Sequence, residues 1–206
     1  MPSDGTKTKK IIINHAMELF KKNGYQNVSI KDICDSSNIK RGTFYYHFNS
    51  KDSIVDTFYD NIKISKQYQS KIISTDNYWL KLWLLYKPTI DWTVEMGSDI
   101  MSSIIMINLQ NNRTTFFPSS EENIKESAIQ IIEKGQQEKQ FLNPRSPLDI
   151  HHTIRNQILG ICLVWCTKGG TFDERLEIHD SLASILQVEP HYIEKEKEWL
   201  SAAGRI

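Results

Sequence analysis

Residues 29–51 run SIKDICDSSNIKRGTFYYHFNSK, and their spacing predicts two short helices joined by a tight turn, with a third helix close behind. Ser29 and Asp32 have the S-x-x-D spacing of a capping box, which opens the first helix. Ile30, Ile33 and Cys34 lie three and four apart and give that helix one small apolar face. Asn38 falls where the chain must reverse, and Asn tolerates a left-handed backbone better than any residue except Gly. Ile39 then plugs the turn. In the next segment Phe44 and Phe48 share one face, while Gly42, Thr43, Tyr46 and His47 fall on the opposite one. Rings inside, with hydroxyls, an imidazole and bare backbone outside, suit a helix laid in the major groove of DNA.

On the N-terminal side, residues 1–8 are polar and are expected to fray. From residue 9 to 23, Ile12, Ala16, Leu19 and Phe20 follow the i, i+4, i+7, i+8 pattern of an amphipathic helix, and Gly24 ends it as a C′ glycine. On the other side, a helix is predicted to open at Lys51 and run unbroken to about Ile73, a rigid rod without Pro or Gly. YWLKLWLLY, residues 78–86, is apolar nearly all round and is expected to be enclosed by other helices. Pro88 is expected to end or kink that helix, after which Trp92, Met96 and Ile100 repeat every four residues. Residues 108–120 read as a polar loop. Ser119 and Glu122 cap a helix carrying Ile124, Ala128, Ile131 and Ile132. Ser146, Pro147 and Asp149 open another, with Ile150, Ile154, Ile158, Ile161, Cys162 and Trp165 on one face and Leu159, Leu163 and Cys166 off it. Gly169 and Gly170 stop that helix. A further helix carries Leu176, Leu182, Ile185 and Leu186, and Pro190 sets off a short charged one ending at Trp199 and Leu200. No alternating strand pattern occurs, so the fold class is all-α.

The chain has 206 residues and a formal net charge of zero, unevenly spread. Residues 1–51 hold 9 Lys and Arg against 4 Asp and Glu, a net of +5, and the remainder holds 16 against 21, a net of −5. A basic N-terminal part on an acidic body suggests that only the first part meets a polyanion. Nothing approaches 18 consecutive apolar residues and no apolar leader is present, so a soluble, cytoplasmic protein without membrane contact is expected. Three cysteines, an odd number in a chain with no secretion signal, argue against a disulfide framework.

Residues 9–54 resemble the DNA-binding domain of the tetracycline-repressor (TetR) family. The resemblance rests on Ile12, Ala16 and Phe20, Gly24, Ile33, then Gly42, Thr43, Tyr45, Tyr46, His47 and Phe48, and finally Lys51. Asn38 stands where the family usually has Gly, and Lys40 where a small hydroxyl residue is common. A helical hairpin inside some other all-α protein is the plainer alternative. The turn, the YYHF run and the following Lys at the family's spacing speak against it. The resemblance implies a three-helix helix-turn-helix domain over residues 1–50 and a helical ligand-binding and dimerisation domain over residues 51–206. It also implies a homodimer on a palindromic double-stranded operator, and an effector that moves the fourth helix. Half-sites one helical turn apart, ~34–36 Å, make a shift of a few Å enough to break register.

Within that frame Lys40, Thr43 and Tyr46 are expected at base edges, with Arg41 and Gly42 beside them. Ser29, Tyr45, His47 and Lys51 are expected on phosphates. Dimer pairing is expected through residues 147–168 and 173–187, because the first of these helices has two apolar rows. No catalytic constellation appears: no H-E-x-x-H, no G-x-S-x-G and no Cys pair with zinc-finger spacing. The chain is therefore read as a regulator, not an enzyme, without cofactor or metal. Cys162 and Cys166, one turn apart, could ligate a soft metal or sense oxidants, against the plainer role of small buried hydrophobes. Four of the five tryptophans lie in the second domain before residue 166. Trp79, Trp83, Tyr86, Trp92, Met96, Phe117, Cys162 and Trp165 are taken as the walls of a cavity for a mainly apolar or aromatic effector, against ordinary core packing. Asp91, Glu95 and Asp99 at its margin leave room for a cation. The alternative is a DNA-bound scaffold whose second domain binds a protein and no small molecule.

Overall fold

In the computed structural model, which describes residues 4–59, 64–110 and 121–203, the described residues are helical apart from turns and a single antiparallel bridge between Phe141 and Val188. The helices are α1 (Asp4–Asn23), α2 (Ile30–Ser36), α3 (Arg41–His47), α4 (Asp52–Tyr59), α5 (Lys66–Ser74) and α6 (Tyr78–Met96). They continue with α7 (Ser98–Gln110), α8 (Glu121–Gln137), α9 (Pro147–Thr167), α10 (Glu174–Leu186) and α11 (Pro190–Ala202). Two compact units form. One comprises residues 1–62 and 95–119, the other residues 63–94 and 120–206.

In the first unit α1 packs on α2 and α4, α2 packs on α3, and α4 packs on α7. Ile12, Ala16 and Phe20 of α1, Ile33 of α2, Phe44 of α3 and Ile54 of α4 are all buried. Gly24 ends α1 at φ 79°, donating its N–H to the Phe20 carbonyl at 3.0 Å. Of the residues expected to fray, 4–8 instead continue α1 back to Asp4, and 1–3 lie outside the described residues. An added turn on an existing helix costs little, and this one lies beside α3, since a Cβ on Gly5 would sit 3.8 Å from the His47 ring.

The expected rod from Lys51 to Ile73 is two helices. Ile64 and Ser65 are not helical, and Ser65 caps α5 from an extended backbone (ψ 152°), its hydroxyl accepting the Tyr68 N–H at 3.2 Å. A serine that can bond the backbone locally competes with helix continuation. Of the two outcomes expected at Pro88, an end to the helix does not occur, because α6 runs through it to Met96. The missing N–H and ring clash cost about 3 kcal/mol, but Leu82, Leu84, Leu85, Ile90 and Trp92 are buried on both sides of it and outweigh that at ~1.5–3 kcal/mol per side chain. The break comes instead at Gly97, with φ 84°, so Ile100 belongs to α7 and not to the run of Trp92 and Met96.

The second unit is built around α6 and α9. Every residue from Leu82 to Lys87 is buried, as the all-round apolar pattern predicts. α9 packs on α8 and α10, with Ile150, Ile154, Ile158 and Ile161 inward. Its start follows the sequence signal: Ser146 accepts the Asp149 N–H at 3.1 Å and donates to the Asp149 carboxylate at 2.7 Å, with Pro147 in the first turn. Gly169 and Gly170, at φ 63° and 74°, follow its end. Two buried amides tie distant segments together. Gln140 accepts the Tyr78 N–H at 2.7 Å, and Asn77 donates to the Tyr192 carbonyl at 2.8 Å.

Candidate nucleic-acid interface and effector domain

The capping box at Ser29 is complete. The Ser29 N–H and hydroxyl donate to Asp32 at 2.8 and 2.6 Å, and the hydroxyl accepts the Asp32 N–H at 3.2 Å. Those hydrogen bonds from Ser29 hold the Asp32 carboxyl below the usual carboxylate range. Asn38 takes φ 51°, and the Ile39 N–H then reaches the Cys34 carbonyl at 3.0 Å, which sets the angle between α2 and α3. Lys40 precedes α3 in an extended conformation and its carbonyl accepts the N–H groups of Thr43 and Phe44.

Phe44 and Phe48 anchor α3 in the core with ring centroids 6.0 Å apart. On the other face Tyr46 is 82% exposed, Lys40, Arg41, Gly42 and Tyr45 are exposed, and Thr43 and His47 are half-buried. The Arg41 guanidinium lies over the Tyr45 ring at 5.8 Å, and Tyr46 meets His47 edge-on at 4.9 Å. Seven of the nine expected DNA-contacting residues thus cluster on or beside one short helix. Ser29 and Lys51 are engaged within the fold. Lys51 donates to the carbonyls of Tyr25 (2.9 Å) and Val28 (3.2 Å) and lies 4.3 Å from the centre of the Tyr25 ring, while the Tyr25 hydroxyl donates to Asp52. Burial lowers the Lys51 pKa. Its role in fastening α4 to the segment after α1 carries no local sequence signal.

The expected cavity walls fall in several places. Trp79, Trp83, Tyr86, Trp92, Cys162 and Trp165 are buried in the second unit, Met96 is buried and belongs to the first, and Phe117 lies outside the described residues. Trp79 and Trp83 stack at 6.3 Å, and each meets the His179 ring edge-on at 5.0 Å. The Tyr86 hydroxyl is 2.9 Å from His151 Nδ1, and Trp165 donates to the Phe172 carbonyl at 3.0 Å. The hydrogen bond with Cys166, then burial, push the Cys162 thiol far above its ordinary value, which disfavours a thiolate there. No group of three metal-binding side chains converges among the described residues. The sequence reading missed the buried polar groups on these inner faces, Thr93, His151, Glu174, His179 and Glu196. A groove of about 500 Å³ does occur on the outside of α9 and α10, lined by Gln157, Gly160, Val164, Lys168 and Glu177 among others. Leu163, Val164 and Leu176 are exposed on these two helices.

A capped helix, an αL turn and a second helix held by two rings, with its polar face bare, define a helix-turn-helix DNA-binding domain. Residues 12–57 match the family described as bacterial regulatory proteins, tetR family, which places this DNA-binding domain in that family. It is 40% identical over 55 residues to the HTH-type transcriptional regulator UidR of Escherichia coli K12, a match covering 27% of this chain and 28% of that protein. It is also 40% identical over 62 residues to IcaR of Staphylococcus aureus strain Newman, the HTH-type negative transcriptional regulator of the biofilm operon icaADBC, covering 30% of this chain and 32% of that one. These matches therefore span about a third or less of each relative. The fold likeness extends further. Thermus thermophilus FadR, a TetR-family repressor solved in complex with lauroyl-CoA, superposes with a TM-score of 0.62 over 86% of this chain and 93% of its own, at 16% identity. No helix among the described residues is long and apolar enough to cross a membrane.

Proposed function

We propose that this chain is a ligand-responsive transcriptional regulator, a cytoplasmic repressor released from a palindromic operator by a small, mainly apolar or aromatic molecule. The observation that carries the DNA-binding half is the bare outer face of α3, where Tyr46 projects from a helix whose opposite face is locked into the core. Residues 1–50 read the operator. Residues 51–206 take the effector and pair with a second copy. Lys40, Thr43 and Tyr46 meet base edges, with Arg41 and Gly42 beside them, and Tyr45 and His47 meet phosphates. Ser29 and Lys51 border that surface, and the third ammonium proton of Lys51 remains for a phosphate. Repression is supported by the negative regulator IcaR and the repressor FadR among the similar proteins.

The test is a salt titration on operator DNA captured from genomic fragments. Lys51→Ala weakens binding to all sequences alike and flattens the salt slope by about one unit, and Thr43→Val relaxes preference at one or two base pairs. Unchanged binding in both variants would overturn the assignment of α3.

One observation favours the scaffold reading instead: Trp79 and Trp83 stack inside the core of the second unit. Trp83→Ala and Trp92→Ala separate the two. Core rings cost ~3–5 kcal/mol each on truncation, whereas cavity rings cost much less and their loss abolishes effector response while DNA binding survives.

A further inference from the structure

Glu174 stands at the first position of α10, behind the cap residue Asp173, and its side chain is 1% exposed. Acidic residues are ordinary in a first helical turn, where they face water. This one faces the interior. Its Oε2 lies 2.8 Å from Thr93 Oγ1 on α6, and the Cys162 thiol on α9 also hydrogen-bonds to the carboxyl. The Thr93 hydroxyl sits 2.8 Å from the Ile90 carbonyl as well, so its single proton cannot satisfy both acceptors. Oε1 of Glu174 has no hydrogen-bond partner among the described residues.

The charges nearby make that arrangement unusual. Arg175 on α10 and Lys87 on α6 both reach Asp91, at 2.7 and 2.9 Å, and Asp91 is the more exposed carboxylate. Two cations therefore serve a half-buried acid, while the fully buried acid receives neither. For packing alone a glutamine would serve Thr93 and Cys162 equally well, without the cost of several kcal/mol that an unpaired buried carboxylate carries. The charge has a use only when something brings it a partner. Burial, working against the hydrogen bonds of Thr93 and Cys162 and the charge of Arg175, pushes the Glu174 carboxyl above the usual carboxylate range. Among the candidate ring residues, Trp92 precedes Thr93 on α6, and Trp165 on α9 is hydrogen-bonded to Phe172, two residues before Glu174 in the chain. A metal ion is the wrong partner, since no group of three metal-binding side chains converges among the described residues.

We propose that Glu174 anchors a protonated amine, so that the effector of this regulator is a lipophilic or aromatic cation whose ammonium hydrogen-bonds to Glu174 Oε1. This rests on the reading of the second unit as an effector domain and narrows it, from a mainly apolar or aromatic molecule to one that carries a cation. Binding converts the neutral acid to its carboxylate and releases a proton wherever the pH lies below the raised value. The other titratable and charged groups about it are Cys162 and Cys166 on α9, Lys87 and Asp91 on α6 and Arg175 on α10 itself.

The experiment uses the full chain with three matched series of probes, benzylamine, phenethylamine and tryptamine, then the alcohols and the carboxylates on the same skeletons. Tryptophan fluorescence gives affinity. Calorimetry in two buffers of different ionisation enthalpy gives proton release. In the wild type the amines bind at least roughly tenfold tighter than the alcohols, the gain expected of a charge-assisted hydrogen bond, and in a series of buffers of falling pH a proton is released once the pH drops below the raised value. Glu174→Gln, checked for folding by circular dichroism, erases both the preference and the release. The calorimetric arm needs no variant, so a misfolded Glu174→Gln leaves the proposal testable. Alcohols or carboxylates binding as well as amines, or an amine preference that survives Glu174→Gln, overturns the assignment of Glu174 while sparing the effector domain. No binding by any of the three series overturns the effector reading with it.

Discussion

A Cβ built on Gly135 falls 2.3 and 2.4 Å from two ring carbons of Phe141, a buried residue that follows the end of α8. The Gly135 carbonyl also accepts the N–H groups of Gln140 and Phe141, at 2.8 and 3.1 Å, so the ring cannot retreat without loosening the turn. Gly135→Ala therefore costs roughly 1–3 kcal/mol by overpacking, and adding Phe141→Leu recovers part of it, as read from urea midpoints. Nothing in the sequence marks Gly135, because the conflict lies with a side chain brought back by a reversal of the chain. Asn38, Gly24 and the Ser146-Pro147-Asp149 start were legible, since each is settled by bonds within a few residues. Lys51 was legible as a basic residue, but its direction was not: it depends on carbonyls 23 and 26 positions away. Lys51→Ala consequently lowers stability by ~1–3 kcal/mol, the cost of leaving the Val28 carbonyl without its ammonium donor, in addition to any effect on DNA. A denaturant titration without DNA checks this.

Among the elements, α11 is fixed by a buried polar contact. Glu196 is 0% exposed, and its Oε2 lies 3.1 Å from His179 Nε2 on α10, while His179 Nδ1 lies 3.0 Å from Asp180. Burial works to lower the His179 pKa, but the hydrogen bonds and charges of Glu196 and Asp180 leave it raised. Glu174 is raised as well. Both groups hold protons more tightly in the folded chain than in the unfolded one, so both contributions are present at low pH and lost as pH rises. For His179 the loss starts above about pH 6.5 and for Glu174 above about pH 4.5, each running up through its raised value. Thermal midpoints measured between about pH 5 and pH 8 should fall with rising pH. His179→Gln flattens the upper part of that slope, and Glu174→Gln flattens the lower part and raises the midpoint at neutral pH. The sequence foretold α11 as a helix but not this contact, because a charged helix near a terminus reads as solvated. At Pro88 a strong local breaker does not end the helix, since apolar burial lies on both sides of it.

For the molecule as a whole, Leu163, Val164 and Leu176 are exposed on α9 and α10, the two helices proposed to pair with a second copy. Leu163 is 47% exposed, near a groove that Gly160 leaves without any side-chain bulk. Leu163→Asp places a charge there, and it is expected to convert a dimer to a monomer in sedimentation and to abolish operator binding in the same step. A monomeric wild type at micromolar concentration would remove the basis of this expectation.

The composition of the first unit from two separated stretches, residues 1–62 and 95–119, has a genetic consequence. The backbone leaves that unit, returns to it in the last residues of α6 and α7, and leaves again, so no single cut in the coding sequence releases it whole. A chimaera grafting residues 1–62 onto a foreign partner would strand α4 without α7, the helix it packs on. Recombination that shuffles DNA-reading heads among regulators is thus penalised here unless the crossover also carries the second stretch.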